Sequence, residues 1–326
     1  MKKRSRSWIG FGIFLVVFLA SAVLLAYLLR DLDWSLIGKT APIYAIPILL
    51  LSVAGTAFYT LAIYLLVRAS GHQTTISQAY LVLTASLSMN YITPVKAGIP
   101  LRIYLYKHVM GIPTATGTAL IACETLVGMV TPALIAVVGI AFLFPFIGLL
   151  GPLLLLLAIG GSVAAILLIP PERVMPLARR LPFQNAIQRV ARFGGQVQIS
   201  LKTLPAWALL STTGLVVLNF ITVAIRLYLI LHVLDHPIEL GALVYAQAIS
   251  VTGGNISMIP MGLGIRDASL TLLLLHLGIP NKVALSVAII QRLFSPGWPL
   301  LLGLVSNSIL GTRTILSNSE TGENDT

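Results

Sequence analysis

Charged residues are scarce in this chain of 326 residues. They make up 10% of the sequence, against about 25% in typical soluble proteins. Hydrophobic residues account for 57%, and the mean hydropathy is +0.95. So few charges exclude an ordinary cytosolic enzyme, and the composition places the chain among membrane proteins.

Cysteine is nearly absent as well. The single Cys123 excludes an intrachain disulfide and the cysteine-based metal sites. The stretch HVLDH over 232–236 has the spacing of two histidine metal ligands, but it lies at a predicted helix end, where polar residues are ordinary. The sequence contains no recognisable nucleophile–base pair or phosphate-binding loop. We therefore expect no enzyme activity, no metal and no cofactor.

Acidic residues are few: 21 basic residues face 10 acidic ones, which gives a formal charge of +11. Nucleic-acid-binding domains concentrate such an excess in one compact basic region with interleaved aromatic residues. The sequence has no such region, so nucleic acid is excluded as a partner.

Long apolar runs dominate the sequence, and about 20 apolar residues suffice to cross the hydrocarbon core. Runs of this length cover 8–29, 41–67, 114–141, 147–169, 205–231 and 282–310. The first run follows the basic N-terminus 1–7 and is too long for a signal-peptide core, so it is predicted to be an uncleaved helix. The expected fold is an all-α polytopic membrane protein with about six transmembrane helices.

Two further apolar segments, 77–110 and 240–277, are interrupted. Each divides into two arms of 12–20 residues, which suit half-helices that enter the membrane and return. Full spanning remains the alternative. Polar and helix-breaking residues mark the interruptions: Asn90, Pro94, Gly98 and Pro100 in the first segment, and Gly253, Gly254, Asn255, Pro260, Gly262 and Gly264 in the second.

Loop 171–204 carries five arginines and one lysine against one acidic residue, Glu172. The positive-inside rule therefore places this loop in the cytoplasm. Counting spans from it, with both interrupted segments re-entrant, puts the N-terminus 1–7 and the polar tail 311–326 in the cytoplasm too.

The interrupted segments resemble each other at a period near 166 residues. Each has, in order, a proline, a glycine, a Gly-Ile-Pro tripeptide and a charged residue. The steps between these markers are 4, 13 and 13 residues from Pro94 to Glu124, and 4, 14 and 14 residues from Pro260 to Arg292. Three ordered matches indicate a duplication. The halves, about 41–169 and 205–310 and joined by loop 171–204, would enter the membrane from opposite sides as inverted repeats.

Inverted repeats with broken helices are typical of secondary transporters, whose substrate site lies near the bilayer midplane. Charges in the embedded segments are mostly positive. There are five basic residues, Lys96, Arg102, Arg226, Arg266 and Arg292, and two acidic residues, Glu124 and Asp267. A charge at the bilayer centre costs about 2.5 kcal/mol or more. An anionic substrate such as a lipid phosphate would balance the excess. All of these except Arg226, which is placed near the outer interface, are candidate substrate-binding residues.

Several of these residues have a second interpretation. Arg102 and Arg266 could extend to the lipid headgroups as topological anchors. Glu124 is either a substrate or proton ligand or the structural partner of an arginine. It occupies the same repeat position as Arg292, which makes those two candidates for an ion pair. The prolines and glycines could be simple kinks.

Two motifs resemble a known family. The first is NYITPVKAGIPLR, from Asn90 to Arg102; the second is IPMGLGIRD, from Ile259 to Asp267, with Gln291 and Arg292 later. Together they resemble the transmembrane, flippase-like domain of lysylphosphatidylglycerol synthases over residues 8–310. The chain departs from the family pattern at Ile99, Thr125 and Gly128, where acid, arginine and acid are expected, and mildly at Asp267, where glutamate is commoner.

The resemblance implies a flippase or flippase-like transporter of anionic lipids or lipid-linked headgroups in a bacterial or archaeal inner membrane. Only the tail 311–326 follows the last apolar run, so aminoacyl transfer is not expected. The alternative is a non-transporting lipid-binding partner of a separate lipid-modifying enzyme. Expected partners are the membrane and an anionic phospholipid or lipid-linked substrate; a homo-oligomer remains open.

Overall fold

The computed structural model describes residues 42–92, 97–148, 194–256, 262, 264–295 and 297–322, with short helical pieces at 151–154, 156–157 and 160–161. The predicted span 8–29 and most of loop 171–204 lie outside these residues. So do Pro94, Lys96 and Pro260. Within the described residues the secondary structure is helical, without strands.

Nine helices make up most of the described residues. Their bounds are α1 Pro42–Ala69, α2 Ile76–Ile92, α3 Gly98–Met110, α4 Thr114–Leu143, α5 Ala206–Val233, α6 Leu240–Ile256, α7 Ile265–His276, α8 Asn281–Phe294 and α9 Gly297–Gly322. Four stretches among the described residues are long and apolar enough to cross a bilayer: Tyr44–Ala69, Thr114–Leu143, Ala206–Val233 and Asn281–Leu310. The predicted all-α membrane fold is confirmed, and three predicted spans coincide with α1, α4 and α5.

Helix ends differ from the prediction at three places. The apolar run 282–310 is divided between α8, which ends at Phe294, and α9, which begins at Gly297. Helix α9 continues to Gly322, beyond the predicted end at 310. Helix α6 runs through Gly253 and Gly254 to Ile256. Hydropathy locates the end of an apolar run, and a helix can continue beyond it.

The two halves repeat the same element lengths. Helices α1 and α5 have 28 residues each, α2 and α6 have 17 each, and α3 and α7 have 13 and 12. The first residues of α1 and α5 are 164 positions apart, from 42 to 206, whereas those of α3 and α7 are 167 apart, from 98 to 265. The second interruption is therefore three residues longer, and the predicted period near 166 lies between the two offsets.

The Gly-Ile-Pro tripeptides adopt matching conformations. Gly111 and Gly278 have positive φ angles of 68° and 87°, which glycine adopts without strain and which commonly end helices. Pro113 has φ −56° and ψ 142°, and Pro280 has φ −57° and ψ 144°. Each proline immediately precedes the first residue of the next helix. The repeated tripeptide thus makes the same turn in both halves.

Two hydrophobic cores lie at opposite ends of the molecule. The first joins the end of α1, the start of α2, the end of α3 and the start of α4, through residues such as Leu66, Val82, Tyr106 and Leu120. The second joins the corresponding parts of α5 to α8, through Leu231, Leu243, Leu274 and Val287. Each hairpin, α2–α3 and α6–α7, therefore returns to the end where it started.

Helices α1 and α5 pack antiparallel along each other. Ile48, near the start of α1, belongs to the core around the end of α5, and Ser52 is hydrogen-bonded to Arg226. The antiparallel pair explains why the hairpins lie at opposite ends.

Two further helix–helix contacts correspond between the halves. Helix α2 packs against α9, and its counterpart α6 packs against α4. At the α2–α9 contact Thr84 and Ser306 share a hydrogen bond of 2.7 Å, and the Asn307 amide donates to the Ser88 hydroxyl at 2.9 Å. A Cβ at Gly303 would overlap Ser88 and the backbone oxygen of Thr84. Small and polar residues of this kind allow close packing of membrane helices.

Large apolar side chains cover the outer surface. Leu50 of α1, Leu210 of α5 and Val305 of α9 are 62%, 73% and 60% exposed. Contiguous apolar surface is unfavourable in water and is suited to contact with lipid tails.

Candidate functional site

A cavity of about 450 Å³ lies between the two halves, lined by residues from α1 to α9. Many lining residues correspond between the halves. Leu83, Leu87 and Tyr91 of α2 match Gln247, Val251 and Asn255 of α6 at the offset of 164, and all six line the cavity. At the offset of 167, Ile99 matches Arg266 and Pro132 matches Pro299, again all lining it. The cavity therefore lies where the repeats meet.

Arg102 is held in an ion pair on the first-half side of the cavity. Its guanidinium donates to Glu124 at 2.6 Å and to the Ser86 hydroxyl at 2.8 Å, and the residue is 6% exposed. Gly98 makes this possible, because a Cβ there would overlap the backbone oxygen of Ser86 and hold α3 away from α2. The anchoring interpretation of Arg102 is wrong, and Glu124 pairs with Arg102 rather than Arg292.

Arg266 enters the cavity from the first turn of α7. Its backbone is held against the end of α6, where the Ser250 hydroxyl donates to the Arg266 carbonyl at 2.6 Å. Gly254 and Gly262 allow this approach, since a Cβ on either would lie 3.1–3.2 Å from the Arg266 Cβ. Among the described residues, the Arg266 guanidinium forms no hydrogen bond and no ion pair.

Asp267 and Arg292 form a second ion pair beside the cavity. Arg292 donates to both Asp267 carboxylate oxygens, at 2.6–2.8 Å. The same carboxylate accepts the Gly264 N–H at 3.2 Å, which satisfies a free donor at the start of α7. Gly264 has φ 79°. Asp267 therefore fixes the turn that carries Arg266, and neither Asp267 nor Arg292 is among the residues lining the cavity.

Arg226 of α5 lines the cavity and is 4% exposed. Its Nε donates to Gln291 Oε1 and its Nη1 to the Ser52 hydroxyl, both at 2.9 Å. Its Nη2 is buried without a partner among the described residues. The predicted position of Arg226 near the outer interface is wrong, because its side chain is buried in the cavity wall. A lone arginine in a 28-residue apolar helix was the signal that could have identified it.

Two amide side chains on the cavity wall also have unused hydrogen-bonding atoms. Gln247 is 1% exposed, and neither its Oε1 nor its Nε2 has a partner among the described residues. Asn90 Oδ1, at the end of α2, is likewise buried and unpartnered. Buried polar atoms are normally hydrogen-bonded, so these two side chains on the cavity wall have unused hydrogen-bonding capacity.

The predicted site residues divide into three groups. Six line the cavity: Asn90, Arg102, Glu124, Asn255, Gly262 and Arg266. Four are described but do not line it: Gly98, Gly264, Asp267 and Arg292. Three lie outside the described residues: Pro94, Lys96 and Pro260. The departures from the family pattern, Ile99, Thr125 and Gly128, all line the cavity.

Comparison with known proteins agrees with this architecture. The family model described as "Lysylphosphatidylglycerol synthase TM region" matches residues 8–303. A search of curated proteins gave no match. The match covers most of the chain and includes α1 to α8 and both interrupted segments. The chain therefore belongs to the family of lysylphosphatidylglycerol synthase transmembrane regions.

Proposed function

We propose that this protein moves an anionic lipid or lipid-linked headgroup between the two leaflets, without covalent chemistry. The observation that carries the proposal is the charge of the cavity. Arg102, Arg226 and Arg266 line it against one described carboxylate, Glu124. Buried charge in a membrane protein marks a substrate path or an ion pair, and two of these arginines have no carboxylate partner among the described residues.

The position of the cavity supports the same proposal. Two hairpins of matching length approach it from opposite ends, as in transporters built from inverted repeats. Polar walls would lower the free energy of a charged headgroup inside the membrane, while its acyl chains remain in the surrounding lipid. The hairpins would then be re-entrant, one from each side, with the cavity near the midplane.

The sidedness of the hairpins can be tested with single cysteines in a chain whose Cys123 is replaced. We expect Gln73→Cys and Thr114→Cys, which flank α2–α3 at exposed positions, to be labelled only from the cytoplasm. Glu239→Cys and Asn281→Cys, which flank α6–α7, should be labelled only from outside. The measurement is labelling of intact and permeabilised cells by a membrane-impermeant maleimide.

Ser200→Cys serves as the cytoplasmic reference, because Leu201 and Leu204 pack onto the same core as the ends of α2–α3. Labelling of Gln73→Cys and Thr114→Cys from opposite sides would contradict re-entry and the inverted repeat with it.

Transport itself is tested by reconstitution. We expect liposomes containing the purified protein to move labelled anionic lipids between leaflets faster than protein-free liposomes, with zwitterionic lipids moved less. The physical reason is the positive charge of the cavity, which favours anionic headgroups. The measurement is dithionite quenching of labelled lipid over time.

The control variant is Arg68→Gln, which removes an exposed arginine at the end of α1 outside the cavity lining and should retain full flux. Absence of movement across a broad lipid panel, with folded protein in the liposomes, would overturn the proposal and favour a lipid-binding scaffold for a separate enzyme.

A further inference from the structure

The charges that line the cavity do not cancel. Among the described residues three arginines and one glutamate line it, and the Arg102–Glu124 pair, at 2.6 Å, is internally neutral. The Asp267–Arg292 pair beside the cavity, also at 2.6 Å, is neutral too. The net excess within the described part of the lining is therefore two positive charges, on Arg226 and Arg266.

We propose that the cavity binds a phosphoryl group carrying two negative charges, a phosphomonoester or a diphosphate, in preference to a singly charged phosphodiester. This inference rests on the proposed function and specifies its substrate class. In a low-dielectric cavity each uncompensated charge is unfavourable. A doubly charged group compensates both arginines, whereas a phosphodiester leaves one of them without a counter-charge.

The donors are arranged on different sides of the cavity. Arg226 extends from α5 with Nη2 unused, and Arg266 extends from the start of α7 with no described partner for its guanidinium. Gln247 Nε2, on α6, is a third unused donor. Guanidinium groups bind phosphate oxygens through paired hydrogen bonds. Donors from three helices suit a terminal phosphate, which presents three unesterified oxygens, better than a phosphodiester, which presents two.

The arrangement of Arg226 favours a fixed site. Its hydrogen bonds from Nε to Gln291 and from Nη1 to Ser52 hold the guanidinium in place. Rigid side chains lose less conformational entropy when they bind a ligand. Preorganisation of this kind is a property of binding sites, whereas a headgroup anchor at the interface remains mobile.

Binding of three probes tests the inference on the full-length protein in neutral detergent with phosphatidylcholine. The probes are short-chain phosphatidic acid, a phosphomonoester; short-chain phosphatidylglycerol, a phosphodiester; and inorganic phosphate. The second pKa of a phosphomonoester lies at about 6, so its doubly charged fraction rises about tenfold between pH 5 and pH 8. We expect the affinity for phosphatidic acid to rise by a similar factor, to about tenfold above phosphatidylglycerol.

The same experiment controls for titration of the protein's own side chains between pH 5 and pH 8. Arginines stay charged throughout this range, and the Tyr59 and Tyr91 hydroxyls on the cavity wall ordinarily titrate near pH 10. Binding of phosphatidylglycerol at both pH values reports any pH-dependent change in the protein itself. Arg226→Gln and Arg266→Gln should each reduce the preference for phosphatidic acid, whereas Arg68→Gln should preserve it.

The outcomes separate this inference from the transport proposal. Equal affinity for both lipids at both pH values, with flux intact, would overturn the doubly charged substrate and leave transport standing. Binding of inorganic phosphate as tightly as phosphatidic acid would support the charge inference and overturn a lipid substrate. No binding by any probe, together with no flux, would overturn both.

Discussion

Replacing Arg266 with glutamine is expected to lower leaflet-to-leaflet movement of anionic lipid by about tenfold or more, because hydrogen bonds to charged groups contribute about 1.5–3 kcal/mol each. The melting temperature should change by no more than about 3 °C, the shift that about 1 kcal/mol would cause. Stability is spared because the half-buried guanidinium has no hydrogen-bond or ion-pair partner among the described residues, so its removal breaks no such contact.

Arg266→Lys should also be impaired, since an ammonium group keeps the charge but cannot reproduce two parallel hydrogen bonds to phosphate. Arg68→Gln is the matched control and should retain both flux and melting temperature. The measurements are flux in liposomes and thermal unfolding of the same preparations. Full flux in Arg266→Gln, or a large loss of melting temperature, would contradict a substrate-binding role for this residue.

Arg292→Gln is expected to destabilise the protein rather than only inactivate it. Breaking a buried ion pair costs about 3–5 kcal/mol, because the remaining charge is left without a partner. Here the remaining charge is Asp267. Its carboxylate accepts hydrogen bonds from Arg292 Nε and Nη2 and from the Gly264 N–H. The melting temperature should fall by about 6 °C or more, measured by thermal unfolding.

The double variant Arg292→Gln/Asp267→Asn tests whether Asp267 is the ion-pair partner of Arg292. It removes both charges, and the asparagine oxygen can still accept the Gly264 N–H, so much of the lost stability should return. Arg292→Gln/Glu124→Gln should not recover, because Glu124 pairs with Arg102 at 2.6 Å. Recovery with Glu124→Gln instead would contradict the observed pairing and restore the one suggested by repeat position.

The sequence alone was sufficient for the features that depend on local chemistry. Apolar runs predicted α1, α4 and α5 to within a few residues, because the hydrocarbon core demands a minimum apolar length whatever the tertiary structure. The Gly-Ile-Pro tripeptides and the interrupted segments were also visible, since glycine and proline act on the backbone directly. The repeat spacing followed from these markers.

Only the tertiary structure decided which charges are paired and which face the cavity. Matching repeat positions suggested a pair between Glu124 and Arg292, yet each has a partner nearer in the chain, Arg102 and Asp267. The Arg226 guanidinium is held in the cavity wall by a hydrogen bond to Ser52, which is 174 residues away in the sequence. Periodicity and hydropathy describe one helix at a time, whereas the pairing of buried charges depends on which faces of different helices meet.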